Sequence, residues 1–246
     1  MKSVAVFKWA VDPQDMRVRD DGSVDWSAAS SWMGAGDDDY VAVQAACGAA
    51  GSDGEVIGLT LAGGDVAFAA ARGAQSTVAI DGLPVTADAT TIAQTLAAAV
   101  RSLENVNVVA IGDSAWEPAV PVMLAGLLGW TALMAVDSVE IKDGGLCVTR
   151  RFGTGTQDIT VRGPVVLGVA ARREEESKPG MRAVLNARKK TVKTVTAAEL
   201  AGEGVPSLAS RGTHLPETAP SRLFDGSEPD HAVSQLLQAL QAEGAL

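Results

Sequence analysis

Short apolar runs alternate with helix-like segments along most of this chain. The runs are rich in Val, Ala, Ile and Leu, and they cover residues 3–7, 55–61, 77–80, 106–111 and 165–170. Each is short enough for a buried strand and too short for a buried helix. Strands that alternate with helices are joined by right-handed crossovers and lie parallel in one sheet. The sequence therefore predicts an α/β fold of the Rossmann-like class, with a mostly parallel sheet flanked by helices.

Helical segments fill the intervals between these runs. One follows Asp37, Asp38 and Asp39, whose carboxylates would complement the positive end of a helix dipole. The clearest one follows Thr86, which is expected to cap it. Its apolar face is formed at helical spacing by Ile92, Leu96, Ala99, Val100 and Leu103.

Two hairpins and a C-terminal extension add to this core. Asp-Gly pairs lie between alternating halves of the segments 17–26 and 138–150, which is a strong hairpin signal, and residues 157–161 could form a third strand beside the second hairpin. We therefore expect a Rossmann-like domain over residues 1–195 with an added β-hairpin layer. Residues 196–246 would form a C-terminal arm that either packs back on the domain or reaches across to a partner.

The last helix of this extension has an amphipathic pattern. Its apolar face is formed by Ala232, Leu236, Leu237 and Leu240.

Composition narrows the possible functions. The chain has 246 residues, a hydrophobic fraction of 47% and a formal net charge of −10. Binding to nucleic acid or to an anionic membrane surface needs a basic face on the protein. We therefore expect this acidic chain to bind neither. The two cysteines, Cys47 and Cys147, form neither a disulfide framework nor a metal-binding spacing, which favours the cytoplasm.

No apolar run approaches the length of about 18 residues that predicts a membrane span, and no metal site is expected.

A ligand in such a sheet binds beyond the carboxyl ends of the strands. Here these ends are 8–10, 61–64 and 112–114, and their glycines would let a nucleotide approach backbone amides closely. The alternative is that they are ordinary turns between strands and helices. Neither G-x-x-x-x-G-K-[ST] nor G-x-G-x-x-G follows the first strand, so the usual phosphate-binding motifs are absent from the sequence.

A serine hydrolase is a more distant alternative. Ser114 follows a strand, as a hydrolase nucleophile would, but Trp116 replaces the last glycine of the G-x-S-x-G motif. A general base would have to come from His214 or His231, both in the C-terminal extension.

Several segments in order resemble the β subunit of electron transfer flavoproteins, above all the branch of that family linked to anaerobic acyl-CoA and carnitine metabolism. The resemblance covers nearly the whole chain. Its specific parts are Phe7-Lys8 with residues 12–15, the 21–26 hairpin, residues 42–46, Gly112-Asp113, and residues 181–190.

This resemblance implies a non-catalytic electron carrier. A β subunit of this family pairs with a larger α subunit, which holds the redox FAD in a mobile domain. The partners would be an acyl-CoA dehydrogenase or reductase, or a quinone oxidoreductase. By position, Met181 would be the apolar residue that docks on the partner dehydrogenase, a contact that suits its soft, unbranched side chain.

The resemblance also implies a nucleotide, AMP or a second FAD, in the crevice of the β subunit. Carried over by position, its binding residues would be Val6, Gly36, Asp37, Asp38, Asp39, Leu61, Gly112, Asp113, Ser114, Ala119 and Val120.

Two departures from the family pattern bear on this nucleotide. Three consecutive carboxylates would repel a phosphate. Ala119-Val120-Pro121 replaces the phosphate-binding Gln-(Val/Thr)-Gly of the family, and it lacks a polar side chain and one amide hydrogen. The sequence therefore predicts weak or lost AMP binding.

A stand-alone adenine-nucleotide-binding module of the stress-protein type is the main alternative to an electron carrier.

Overall fold

The sheet and its helices follow the chain in the order that the apolar runs predict. In the computed structural model, the described residues are 1–11, 17–25, 33–61, 64–84, 87–113, 118–171, 178–200, 215–217 and 221–245. Their strands are β1 (Lys2–Phe7), β2 (Trp9–Val11), β3 (Met33–Ala35), β4 (Glu55–Leu61), β5 (Ser76–Asp81), β6 (Val108–Gly112), β7 (Thr131–Lys142), β8 (Gly145–Phe152), β9 (Gly155–Val161), β10 (Val165–Val169) and β11 (Thr191–Thr196). Their helices are α1 (Asp39–Ala50), α2 (Ala67–Ala71), α3 (Ala89–Ser102), α4 (Val120–Leu128), α5 (Met181–Ala187), α6 (Ala197–Leu200) and α7 (Pro229–Ala242).

Nine of these strands form one mixed sheet. Their order is β11-β5-β4-β1-β6-β10-β7-β8-β9, and all neighbours from β11 to β7 pair in parallel. The chain moves from β1 outward to β5 and then returns to place β6 on the other side of β1. This reversal puts a topological switch point between β1 and β6, where a crevice opens in folds of this kind. The predicted Rossmann-like α/β class is confirmed.

Helices cover both faces of the sheet and bury two apolar clusters. One cluster packs α1 and Phe68 against the face that carries Ala5, Phe7 and Leu167. The other packs α3 and α4 against the face that carries Val4 and Val6. Central strands that are apolar on both faces match this arrangement, because each of their two faces meets a helix layer.

Both predicted hairpins are present. The second joins β7 to β8 through Asp143 and Gly144, whose φ angles of 51° and 74° are those of a type I′ turn. The strand expected beside it is β9, so this hairpin layer extends the main sheet at one edge. In the first hairpin, Val18 bridges Val24, and Trp26 lies outside the described residues.

The clearest helix, α3, begins at a different cap from the expected one. Asp88 accepts hydrogen bonds from the backbone amides of Thr90 and Thr91, and α3 starts at Ala89. Thr86 lies outside the described residues. An aspartate satisfies two otherwise unpaired amides at this position, which stabilises a helix start by about 1 kcal/mol.

The C-terminal part contains one strand that the sequence pattern did not predict. β11 adds to the sheet beside β5, and α6 then lays Ala197 and Leu200 against the second apolar cluster. The division of the chain at residues 195 and 196 stays a prediction.

No helix among the described residues combines the length and apolarity needed to cross a membrane.

Candidate functional site

The candidate site is the crevice at the carboxyl ends of β1 and β6. Phe7 ends β1, Gly112 ends β6, and α1 begins beside them at Asp39. α1 packs against both strands, so its positive N-terminal end faces the crevice. The topology therefore brings Gly36, Asp38, Asp39, Gly112 and Asp113 into one region, and their role in binding a ligand stays a prediction.

Asp39 is a buried carboxylate that connects two chain segments. Its Oδ1 accepts a hydrogen bond of 3.0 Å from the amide of Lys8, and its Oδ2 accepts one of 2.7 Å from the amide of Gly36. Only 1% of the residue is exposed. Burial, opposed by the two amide hydrogen bonds and reinforced by the neighbouring Asp38 charge, raises the pKa of Asp39 to about 7.

Asp38 lies against the end of β6. The residue is 1% exposed, and its side chain packs against the backbone of Gly112. A Cβ atom added at Gly112 would overlap the Asp38 carboxylate and would lie 2.8 Å from its Oδ1. Lys8, 4% exposed, also lies in this region, and its charge lowers the pKa of Asp39. Two carboxylates and one ammonium group are thus buried together at the switch point.

Asp113 connects the end of β6 to β7 and β10 through hydrogen bonds. Its Oδ2 accepts a hydrogen bond of 3.0 Å from the amide of Ala135, and its own amide donates to the carbonyl oxygen of Val169 at 3.0 Å. Ala135 has a φ of 56°, a left-handed conformation that costs an alanine energy. The hydrogen bond that the Ala135 amide donates to Asp113 helps to hold this irregular point of β7 in place.

Arg151 of β8 connects the hairpin layer to β7 and to the residue pair that follows β10. Its guanidinium group pairs with Asp137 at 2.8 Å and donates to the carbonyl oxygen of Ala171 at 3.0 Å. The hydrogen bond with Asp137 raises the pKa of Arg151.

The remaining residues of the expected nucleotide site divide into three kinds. Val6, Leu61 and Val120 are buried side chains of the second apolar cluster, so only their backbone could meet a ligand. Asp37 and Ala119 are exposed. Ser114 lies outside the described residues.

One residue of this region was not among the expected site residues. Lys8 is a buried cation between the end of β1 and the carboxylates of the Asp37–Asp39 run. The sequence pattern that could have identified Lys8 is a lysine directly after an apolar run. This run becomes β1, which ends at the crevice.

The expected docking residue occupies a separate, exposed position. Met181 is 74% exposed and begins α5 directly after Gly180, in the segment 178–190 that we call the recognition loop. The base of this loop is fixed, because Ala187 packs on Ala67 and Ala70 of α2. The helix therefore presents Met181 outward from an anchored support.

The catalytic apparatus of a hydrolase is not assembled among the described residues. His231 lies on the exposed α7, where its Nε2 is 3.0 Å from Nε2 of Gln235. His214 and Ser114 lie outside the described residues. Within the described ranges, no group of three or more His, Cys, Asp and Glu side chains is arranged to hold a metal ion.

Comparison with known proteins decides the family. The model of the electron transfer flavoprotein domain matches residues 36–200, which include both the acidic start of α1 and the recognition loop. The chain belongs to this family. Proteins of the electron transfer flavoprotein family bind flavin and carry electrons, generally without catalysing a reaction themselves. A comparison with curated proteins found no match.

The crevice of this family member does not fit the nucleotide that the resemblance implies. Its described backbone donors at Lys8, Gly36 and Asp113 already have partners within the chain. The space over Gly112, where a ligand would approach the backbone, contains the Asp38 carboxylate. The Asp38 and Asp39 carboxyl groups at this point repel a phosphate whenever they are ionised.

Proposed function

We propose that this chain is the β subunit of an electron transfer flavoprotein. It pairs with a larger α subunit that holds the redox FAD. The pair carries electrons between a dehydrogenase or ferredoxin-type donor and an acyl-CoA reductase or quinone-linked acceptor in the cytoplasm. The β chain contributes scaffold and docking surface and performs no acid–base chemistry. Its membership of the family supports the electron-carrying role.

The observation that carries the proposal is the exposure of Met181 on an anchored helix. Met181 is 74% exposed and Leu185, one turn later on the same helix, is 53% exposed, so α5 offers an apolar surface for a partner. The flexible thioether side chain of Met181 adapts to partners of different shape, which suits a carrier that visits more than one enzyme. The base of the recognition loop is held by Ala187, so docking would order few additional residues and would lose little entropy.

The C-terminal extension supports pairing with a second subunit. Leu223 is 90% exposed, and Leu236 and Leu237 of α7 are 43% and 46% exposed. Leu236 and Leu237 belong to the predicted apolar face of the last helix. We propose that this face packs on the α subunit, since burying large apolar side chains contributes about 25 cal/mol per Å².

Co-expression tests this function directly. The full chain would carry an affinity tag and would be produced together with an electron transfer flavoprotein α subunit from the same source. We expect a 1:1 complex that is yellow and shows the visible absorption spectrum of a bound flavin. A colourless homodimer that holds ATP would contradict the proposal and would favour a stress-protein-type module.

Two matched double variants test whether the apolar face of α7 packs on the α subunit. Leu236→Asp with Leu237→Asp should reduce recovery of the complex at least tenfold, because two buried charges oppose assembly. Gln238→Asp with Gln241→Asp adds the same charge to exposed polar positions of the same helix and should leave recovery unchanged. Equal recovery with both pairs would remove α7 from the interface.

A further inference from the structure

We infer that Asp38 and Asp39 close the crevice between the ends of β1 and β6, and that the chain holds no adenine nucleotide there. Closure of the crevice does not depend on an α subunit, so this inference and the proposed pairing can fail separately. It is carried by the position of the two carboxylates, by the partners of the surrounding amides, and by the charge of the region.

The first step concerns space. Gly112 has no side chain, and in folds of this class a glycine at a strand end allows a ligand to approach the backbone. Here the approach is already occupied, since the Asp38 carboxylate lies where a Cβ of residue 112 would be. A Cβ at Gly36 would also lie only 2.8 Å from Asp38 Oδ1. Asp38 is therefore enclosed between two glycines that leave room for its carboxylate.

The second step concerns hydrogen-bond donors. A phosphate at a helix N-terminus is held by backbone amides that point towards it. At this crevice, Asp39 accepts from the amides of Lys8 and Gly36, as an anionic ligand would. The carboxylate thus satisfies donors that come from the end of β1 and from the segment before α1.

The third step concerns charge. The N-terminal end of α1 carries a partial positive charge, and Lys8 contributes a buried ammonium group close to Asp39. Asp38, and Asp39 in its ionised form, balance this positive charge from within the chain. A bound phosphate would add negative charge to a region that already contains two buried carboxylates. The carboxylates therefore take the structural place of an anionic ligand.

Nucleotide analysis is the direct test. The full chain, alone and in any complex in which it is purified, would be denatured, and AMP, ADP, ATP and FAD in the extract would be quantified by mass spectrometry. We expect adenine nucleotide far below one per chain, beyond any FAD that an α subunit contributes. We also expect no rise in melting temperature when AMP is added to the isolated chain. One AMP per chain would overturn the inference.

A double-mutant cycle tests the position of Asp38 without any ligand. Gly112→Ala should lower the melting temperature by on the order of 5 °C, because its methyl group meets the Asp38 carboxylate. Most of this loss should vanish when Gly112→Ala is made in the Asp38→Ala background. It should persist in the Asp38→Asn background, where a side chain of equal size remains.

Gly126→Ala supplies the matched control for the cycle. No atom lies within 4 Å of a Cβ added at this helical glycine, so the same chemical change should not lower the melting temperature. An equal loss from Gly112→Ala with and without the Asp38 side chain would overturn the placement of Asp38, as would no loss at all. If Gly112→Ala fails to fold in every background, the nucleotide analysis still decides the inference.

Discussion

The ammonium nitrogen of Lys190 lies 2.9 Å from the carbonyl oxygen of Ala70, a residue 120 positions earlier in the chain. The same nitrogen lies 2.6 Å from the carbonyl oxygen of Ala74. Both carbonyl groups belong to the C-terminal end of α2 or to the turn after it, where carbonyls lack helical partners and favour a cation. Lys190 thereby joins the end of the recognition loop to the body of the domain.

Replacing Lys190 with methionine should loosen the recognition loop. Methionine retains most of the aliphatic stem but loses both hydrogen bonds, so the free energy of unfolding should fall by about 1–2 kcal/mol. Amide hydrogen exchange of residues 181–187 should become faster, because the segment that follows α5 loses its hydrogen bonds to the end of α2. Lys189→Met is the control, since Lys189 is exposed. Unchanged exchange in Lys190→Met would show that the two hydrogen bonds of Lys190 do not hold α5 in place.

Replacing Met181 with glutamate should weaken docking on the electron-donating partner. A carboxylate cannot enter an apolar pocket without a large desolvation cost, so we expect the apparent KM for the carrier to rise at least about tenfold. The flavin content of the purified complex should stay the same, because the changed side chain is exposed to solvent. Steady-state electron transfer at varied carrier concentrations measures the effect.

The conservative variant separates apolar contact from general damage. Met181→Leu keeps an apolar side chain of similar volume and should lose less than about threefold in KM. If Met181→Glu transferred electrons as well as the original chain, the docking surface would have to lie elsewhere.

The sequence predicts the layout of the fold because its strongest patterns are local. Apolar runs mark the buried central strands, and Asp143-Gly144 marks a turn whose two positive φ angles few other residue pairs adopt easily. The order of strands and helices then places the crevice at their carboxyl ends. β11 escaped prediction because it lies at the sheet edge, where its alternating Thr, Val and Lys residues remain largely exposed.

The burial of the carboxylates in the crevice could not be predicted in the same way. Three successive aspartates at the start of a helix give no local sign of which of them are buried, and Asp37 is exposed. Asp38 and Asp39 are buried because their contacts come from distant segments, from Lys8 and from Gly112. No local pattern reports contacts across 31 residues of chain, such as that between Lys8 and Asp39.

Two helical glycines should respond oppositely to alanine. Gly48 lies on α1 where the backbone of β7 approaches, and a Cβ there would overlap the carbonyl oxygen of Val139 and lie 3.4 Å from its carbonyl carbon. Gly48→Ala must therefore separate α1 from β7 and should cost about 1–3 kcal/mol. Gly126 on α4 has open space, so Gly126→Ala should stabilise the chain by about 0.5–1 kcal/mol. Urea unfolding of both variants measures the difference, and a stabilised Gly48→Ala would contradict the close approach of α1 and β7.

The buried carboxyl group of Asp39 should make stability depend on pH. Its pKa is about 7 in the fold, chiefly because of burial, and its ordinary value is 3.8. Between these two values the folded chain binds more protons than the unfolded chain, so stability falls as pH rises from about 4 to about 7. The charged groups that face Asp39 are Lys8, which lowers its pKa, and Asp38, which raises it. We expect a loss of about 2–4 kcal/mol in the free energy of unfolding across this range.

Variants at neighbouring positions assign this loss to Asp39. In Asp39→Asn no proton can bind, so most of the difference between urea unfolding at about pH 5 and at about pH 8 should disappear. The variant should be less stable than the original chain at the lower pH, because an amide group cannot accept from both Lys8 and Gly36. Asp37→Asn changes an exposed carboxylate two residues earlier and should retain the original pH dependence. If Asp39→Asn retained it as well, Asp39 would not be the group that takes up the proton on folding.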